Sequence, residues 1–246
     1  MDKHSFQIWS PQLRNWRTLD VYLPESYDVG RLRYPVVYMQ DGQNLSDPSI
    51  AFAGNTWQLE GALGRLREQG IEPIVVGIHH AGAGRLIEYS PFADPRHGGG
   101  FGHRYCRFLI DTVRPRIDAQ YRTRRSRESQ AIVGSSMGGL ISLYAFFLRG
   151  SPFGRVAAMS PSIWFGARRL LDYVEAAPPR RGRIYVDAGT NEGADTLRNA
   201  RALVRLLRRK GYASRDALRF VEGQGQGHSE GDWAARLPGA LEFLLG

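Results

Sequence analysis

Short apolar runs rich in β-branched residues recur along this chain, separated by amphipathic stretches, and no other feature narrows its folding options as far. Tyr34-Pro-Val-Val-Tyr-Met39 and Pro73-Ile-Val-Val-Gly-Ile78 are almost continuous, the pattern of strands buried on both faces. Ala131-Ile-Val133, Val156 to Met159, Ile184-Tyr-Val186 and Leu218 to Val221 continue the series. Helical patterns fill the intervals at about 56–69, 103–120, 137–149, 165–175, 192–210 and 230–245. Gln7 to Trp9 and Thr18 to Leu23 instead alternate polar and apolar, as half-exposed antiparallel strands do. The expectation is an α/β fold: a mostly parallel central sheet with an antiparallel N-terminal edge and helices on both faces. The glycine-rich stretch 92–102 is either a cover or a plain connection.

Composition removes several classes. At 42% hydrophobic, with a single cysteine, the chain is neither disordered nor a disulfide scaffold. Its 246 residues suit one domain, 1–246. No run approaches 18 apolar residues, and Met1 to Ser5 lack a signal-peptide pattern, so the expected location is cytoplasmic with no membrane contact. Cys106, flanked by Tyr105, Phe108 and Leu109, reads as core filler. The net charge of +9 comes almost wholly from arginine, since Lys3 and Lys210 are the only lysines. The clusters Arg122 to Arg127 and Arg201, Arg205, Arg208 and Arg209 carry no interleaved aromatics. They read as solvated surface rather than a nucleic-acid site, with a field that could steer anionic substrates.

Chemistry concentrates after Ala131-Ile-Val133, where Gly134-Ser135-Ser136-Met137-Gly138-Gly139 leads into a helix. This is G-x-S-x-G in a strand–turn–helix setting, a sharp elbow that exposes the central hydroxyl and needs small flanking residues. Ser136 is its centre and Ser135 the neighbouring competitor. A serine hydroxyl needs a base, and the only downstream histidine is His228, after the strand 218–221 and among glycines. An acid should orient that imidazole. Glu192 is favoured because it falls in a strand-to-helix loop, with Asp187 and Asp195 as alternatives. The oxyanion amides expected are those of Met137 and, from the loop 40–44, Gln43.

At this point the chain resembles the putative-esterase branch of the α/β-hydrolases, the enterochelin-esterase-like and feruloyl-esterase-like proteins. The resemblance rests on Val21-Tyr-Leu-Pro24, Tyr38 to Asn44, Arg85 with Glu88-Tyr89-Ser90-Pro91, Gly134 to Gly139, Ser160-Pro-Ser-Ile-Trp164, Gly189 to Glu192 and Gly227-His228. It implies an α/β-hydrolase fold without a large cap domain, with Ser136 as nucleophile, His228 as base, Glu192 as acid, and Gln43 and Met137 in the oxyanion hole. The family often has Asp where this chain has Glu192.

The function expected is therefore that of a serine carboxylic-ester hydrolase working through an acyl-enzyme on a small-molecule, sugar or aryl ester. Acyl transfer or thioester hydrolysis by the same site, and a non-catalytic binding role, are the alternatives. No cofactor or metal is called for; His79-His80 lacks a suitably spaced carboxylate. A homodimer is compatible with such a chain. Trp57 and Trp164 are candidate substrate-binding residues, and Arg85 with Glu88 reads as a structural ion pair.

Overall fold

The computed structural model describes residues 2–246. Ten strands form: β1 (Asp2–Ser10), β2 (Asn15–Leu23), β3 (Val36–Gln40), β4 (Ile74–Ile78), β5 (Ala93–Asp94), β6 (Gly98–Gly99), β7 (Gln130–Ser135), β8 (Arg155–Met159), β9 (Arg183–Gly189) and β10 (Leu218–Gly223). Eight of them make one twisted sheet in the order β1-β2-β4-β3-β7-β8-β9-β10. Pairing is antiparallel at β1–β2 and β2–β4 and parallel from β4 to β10. β5 and β6 make a separate two-residue hairpin within the glycine-rich stretch.

The period-two geometry of strands explains how one apolar run serves two cores. Val36, Tyr38 and Val76 face one side, where Leu109, Ile117, Leu140, Phe146 and Leu203 bury them. Val37, Met39, Val75 and Val133 face the other, against Leu59, Leu66, Leu237 and Leu241. The first layer comprises α3 (Gly102–Phe108), α4 (Arg114–Gln120), α5 (Met137–Phe147), α6 (Arg169–Ala176) and α7 (Ala194–Arg209), and the second α1 (Leu59–Glu68) and α8 (Glu230–Leu245). Each fully buried aliphatic side chain contributes about 1.5–3 kcal/mol. Cys106 lies in the first layer, wholly buried.

Of the expected boundaries that shift, three do so for an identifiable local reason. β3 starts at Val36 rather than Tyr34, because Pro35 has no N–H to donate to a neighbouring strand. The helix expected over 103–120 is interrupted by a π-helical turn at Leu109–Val113, where the Arg114 amide reaches back to the Leu109 carbonyl. Pro115 follows at once; it cannot donate to the preceding turn, and the widened backbone accommodates it. The helix expected at 165–175 begins with the irregular turn Phe165–Arg168, where Gly166, Ala167 and Arg168 have positive φ. No helix among the described residues is long and apolar enough to cross a membrane.

The parallel arrangement brings the ends of β3, β7, β8, β9 and β10 to one rim, so the loops at 41–44, 136, 160–164, 190–192 and 224–228 converge. The turn after β3 is packed hard against β4: a Cβ on Gly42 would stand 2.5 Å from the Gly77 carbonyl carbon. Gly42→Ala should therefore cost about 1–3 kcal/mol, visible in a thermal melt as a Tm about 3–10 °C lower. An unchanged Tm would contradict this packing.

At the antiparallel edge, Asp20 ties three strands together. It accepts from Ser5 Oγ at 2.5 Å, lies 3.1 Å from Lys3 Nζ, and lies 2.9 Å from His79 Nε2. Burial opposes its ionisation, but the hydrogen bonds from His79, Ser5 and Lys3 outweigh burial and hold the carboxyl at about 2. That folded value lies below the 3.8 of a free side chain, so the stabilisation is complete above about pH 4 and fades toward about pH 2. Urea melts of Asp20→Asn should show a less stable protein at pH 6, with the gap from wild type closing across that acid window. A constant gap would refute the linkage.

Candidate active site

β7 delivers the chain into α5 through one strained residue. Ser136 has φ 54° and ψ −122°, outside the regions a non-glycine residue ordinarily occupies. The turn is held from three sides: the Ser136 amide donates to Met159 O at 2.9 Å, and its carbonyl accepts from Leu140 N at 3.1 Å and Ser162 N at 3.0 Å. The flanking glycines are obligatory, since a Cβ on Gly134 would stand 2.5 Å from the Gly138 carbonyl carbon. Ser136 is half-buried, whereas Ser135 is buried within the strand.

His228 arrives from the loop after β10, where Gly223 and Gly225 leave room for the bend. Its Nε2 lies 3.0 Å from Ser136 Oγ and its Nδ1 lies 2.9 Å from Glu192 Oε2. A nitrogen facing a carboxylate must carry the proton in the neutral ring, so Nδ1–H donates to Glu192 and Nε2 accepts from Ser136. Trp233 stacks edge-on against the imidazole at 4.9 Å between ring centroids.

The three carboxylates considered at this end of the sheet have different fates. Glu192 precedes α7, and its side chain is wholly buried. Its second oxygen, Oε1, accepts from the Gly189 amide at 2.6 Å and Ser160 Oγ at 2.5 Å. Burial works against the ionised form, yet the bonds from His228, Ser160 and Gly189 prevail and hold the carboxyl below its usual range. Asp187 sits deeper in β9, where it accepts from the Ser160 amide at 2.9 Å. Burial pushes it up to about 6, although Arg236 lies 3.0 Å away. Asp195 is on the outer face of α7, paired with Arg198. Among the described residues, only Glu192 of the three touches the imidazole.

Two backbone amides start helical turns beside this constellation. Met137 N opens α5 and Gln43 N lies in the 3₁₀ turn Gly42–Asn44, whose first internal bond runs from Asn44 N to Asp41 O. Amides at such positions have no partner within their own helix and can serve an anion. The turn is anchored through Asp41, in the left-handed region at φ 56°. Its carboxylate receives both Arg85 Nε at 2.7 Å and Arg85 Nη2 at 2.8 Å. Arg85 and Glu88, expected as a pair and both on α2 (Arg85–Glu88), therefore do not pair. Glu88, 5% exposed, instead takes the equally buried Arg17 at 2.7 Å. A buried charge needs a buried counter-charge, and Asp41 leaves Arg85 no reason to turn inward.

The tryptophans also separate. Trp57, expected as a pocket residue, is 1% exposed and packs on Trp233 within the layer between α1 and α8, so it belongs to the core. Trp164 is 47% exposed and lies two residues after Ser162, whose Oγ is 3.1 Å from Ser136 Oγ. With Asp94, Pro95, Arg96 and His97 it lines an open cleft of about 290 Å³. His79 is engaged with Asp20, and His80 Nδ1 accepts from the Gly82 amide.

Sequence reasoning does not single out Ser160, Ser162 or Arg236 as site residues, and it places Trp233 only among aromatics near the strand ends. One signal was available for Arg236: it interrupts the buried stripe Trp233, Leu237, Ala240 and Leu241 of α8, and a guanidinium there demands partners.

Residues 10–244 match the family described as "Putative esterase". In sequence the chain is 27% identical to the uncharacterized protein YbbA of Bacillus subtilis over 243 residues, covering 94% of this chain and 93% of that one. It is 29% identical to the siderophore triacetylfusarinine C esterase of Aspergillus fumigatus over 160 residues, 62% of this chain and 52% of that one. In fold it resembles the enterobactin esterase of Shigella flexneri, with a TM-score of 0.80 at 20% identity over 99% of this chain and 58% of that one. It also resembles an IroE-like serine hydrolase of Shewanella oneidensis, with a TM-score of 0.78 at 20% identity over 99% and 80% of the two chains. The chain thus belongs to the putative-esterase family, carboxylic ester hydrolases with the α/β-hydrolase fold.

Proposed function

We propose that this chain is a serine esterase in which Ser136 is the nucleophile, His228 the general base and acid, and Glu192 the residue that orients and stabilises the imidazole. The observation that carries this reading is the continuous pair of contacts from Ser136 Oγ through His228 to Glu192 Oε2, at 3.0 and 2.9 Å. His228 Nε2 takes the Ser136 proton as Oγ attacks the ester carbonyl. The positive imidazolium is then balanced by Glu192, which stays ionised throughout. Negative charge developing on the carbonyl oxygen meets the amides of Met137 and Gln43 and the positive end of α5; each such donor supplies about 2.7–4 kcal/mol to the transition state. Nε2–H then protonates the departing alcohol, and the same imidazole activates water to release the acid.

The substrate we infer is a small-molecule ester carrying an aromatic ring; a siderophore ester, the substrate named for the Aspergillus fumigatus relative, is the second candidate. The edge-to-face pair of Trp164 and His97, lining the cleft that opens two residues after Ser162, supports a planar ring there. A panel of esters varying acyl length, sugar and aryl group should show its highest kcat/KM on aryl members. A preference for unbranched alkyl esters would count against that part of the reading.

Two variants test the machinery. Ser136→Ala should lower p-nitrophenyl acetate turnover by about 10⁴-fold or more, with an unaltered circular dichroism spectrum. Glu192→Gln should lower kcat by roughly 10³–10⁴-fold, because an amide can hold the wrong tautomer. Full activity in Ser136→Ala would overturn the assignment.

A further inference from the structure

Arg236 reaches the loops that carry the proposed acid and base, and the loop after β8 that lies between them and the nucleophile. It stands on the buried stripe of α8, and only 4% of its side chain is exposed. Nη1 donates to Gln226 Oε1 at 2.7 Å, two residues before His228. Nη2 donates to Ser160 Oγ at 2.9 Å and lies 3.5 Å from Glu192 Oε1. Nε faces Asp187 Oδ2 at 3.0 Å in a poorly aligned ionic contact. One planar group thus touches the loops after β8, β9 and β10.

The hydroxyl of Ser160 makes the arrangement directional. It accepts from Trp233 Nε1 at 3.1 Å and from Arg236 Nη2, which uses both of its lone pairs. Its one proton is therefore left to donate to Glu192 Oε1. With the Gly189 amide also on Oε1, that oxygen is occupied and Oε2 is left for His228. Arg236 also balances the negative charge that two buried carboxylates, Asp187 and Glu192, would otherwise concentrate behind the imidazole. The remaining titratable groups are Tyr185 beside Asp187 and Glu230, whose charge acts on His228 from the first turn of α8.

Building on the triad reading above, we propose that Arg236 is the positioning residue of this active site: its guanidinium locks the acid and base loops together and, through Ser160, dictates which Glu192 oxygen meets His228. It acts through other groups and touches neither substrate nor reacting atoms. Lysine cannot replace it, since a point-like ammonium does not reproduce the fork that reaches Gln226, Ser160 and Asp187 together.

The test compares Arg236→Lys, Arg236→Met and Ser160→Ala with wild type on p-nitrophenyl acetate, with circular dichroism and Tm measured for each. For Arg236→Lys, kcat should fall about 10–100-fold while KM stays within about twofold, the mark of a misaligned but accessible site. Ser160→Ala keeps the guanidinium and its ionic contacts, and should lose about tenfold in kcat because Oε1 loses its directing donor. The acid limb of kcat/KM against pH should move upward by about half a unit or more in Arg236→Met, where the cation is lost and the imidazolium is favoured, but not in Arg236→Lys. A purely structural role for Arg236 would leave that limb in place.

A folded Arg236→Lys with kcat within about threefold of wild type would overturn the proposal. So would a loss confined to KM. If Arg236→Lys does not fold, Ser160→Ala decides: an undiminished kcat there overturns the proposal as well. Ser136→Ala, run alongside, separates the two ideas. If it is inactive while Arg236→Lys is fully active, only the positioning role fails; if it is itself active, the triad reading fails first.

Discussion

A carboxylate removed from water and yet ionised is the constraint on which the rest of this molecule turns. The Glu192 side chain is wholly buried, a state that disfavours charge unless fixed dipoles replace the lost hydration. Here the replacement is complete: the Gly189 amide and Ser160 hydroxyl on one oxygen, the imidazole of His228 on the other. Because those donors come from three segments, the charge is tolerable only when the ends of β8, β9 and β10 are in register. The electrostatics of the site and the closure of the sheet rim are thus one problem.

The sheet supplies the rigidity this needs. Parallel strands buried on both faces bring their C-terminal ends to a common rim, and two separate apolar layers prevent them from sliding. On that scaffold a few strained residues are affordable. Ser136 and Asp41, both at positive φ, aim a hydroxyl and a turn of backbone amides toward one another's neighbourhood. Each is over-determined, Ser136 by Met159, Leu140 and Ser162 and Asp41 by the paired nitrogens of Arg85. In the proposed reaction, strain at these two points is what leaves the nucleophile exposed and the amides free.

Much of this was legible in the sequence because the governing signals are local. Continuous β-branched runs mark strands buried on both faces, and the elbow Gly134 to Gly139 shows its turn in its glycines. The loop placement of Glu192 between β9 and α7 is likewise readable from the helical pattern that follows it. What was not legible depends on which surface a side chain faces once helices pack. Trp57 reads as a pocket aromatic, yet the segment leading into α1 buries it in the layer shared with Trp233. Arg85 and Glu88 stand three apart on one short helix, the spacing of a pair, but burial sorts them onto Asp41 and Arg17 from other elements. Arg236 is hidden for a similar reason, since a lone arginine on a helix looks solvated until the stripe it interrupts is known to be inward.

The central claim is that Ser136 alone among the hydroxyls of this chain has been made reactive by His228. Covalent labelling with a fluorophosphonate probe, followed by peptide mapping, tests it most directly. The account predicts one adduct per chain, located on Ser136 and lost in His228→Ala. An adduct on another residue, or active protein that carries none, would contradict it.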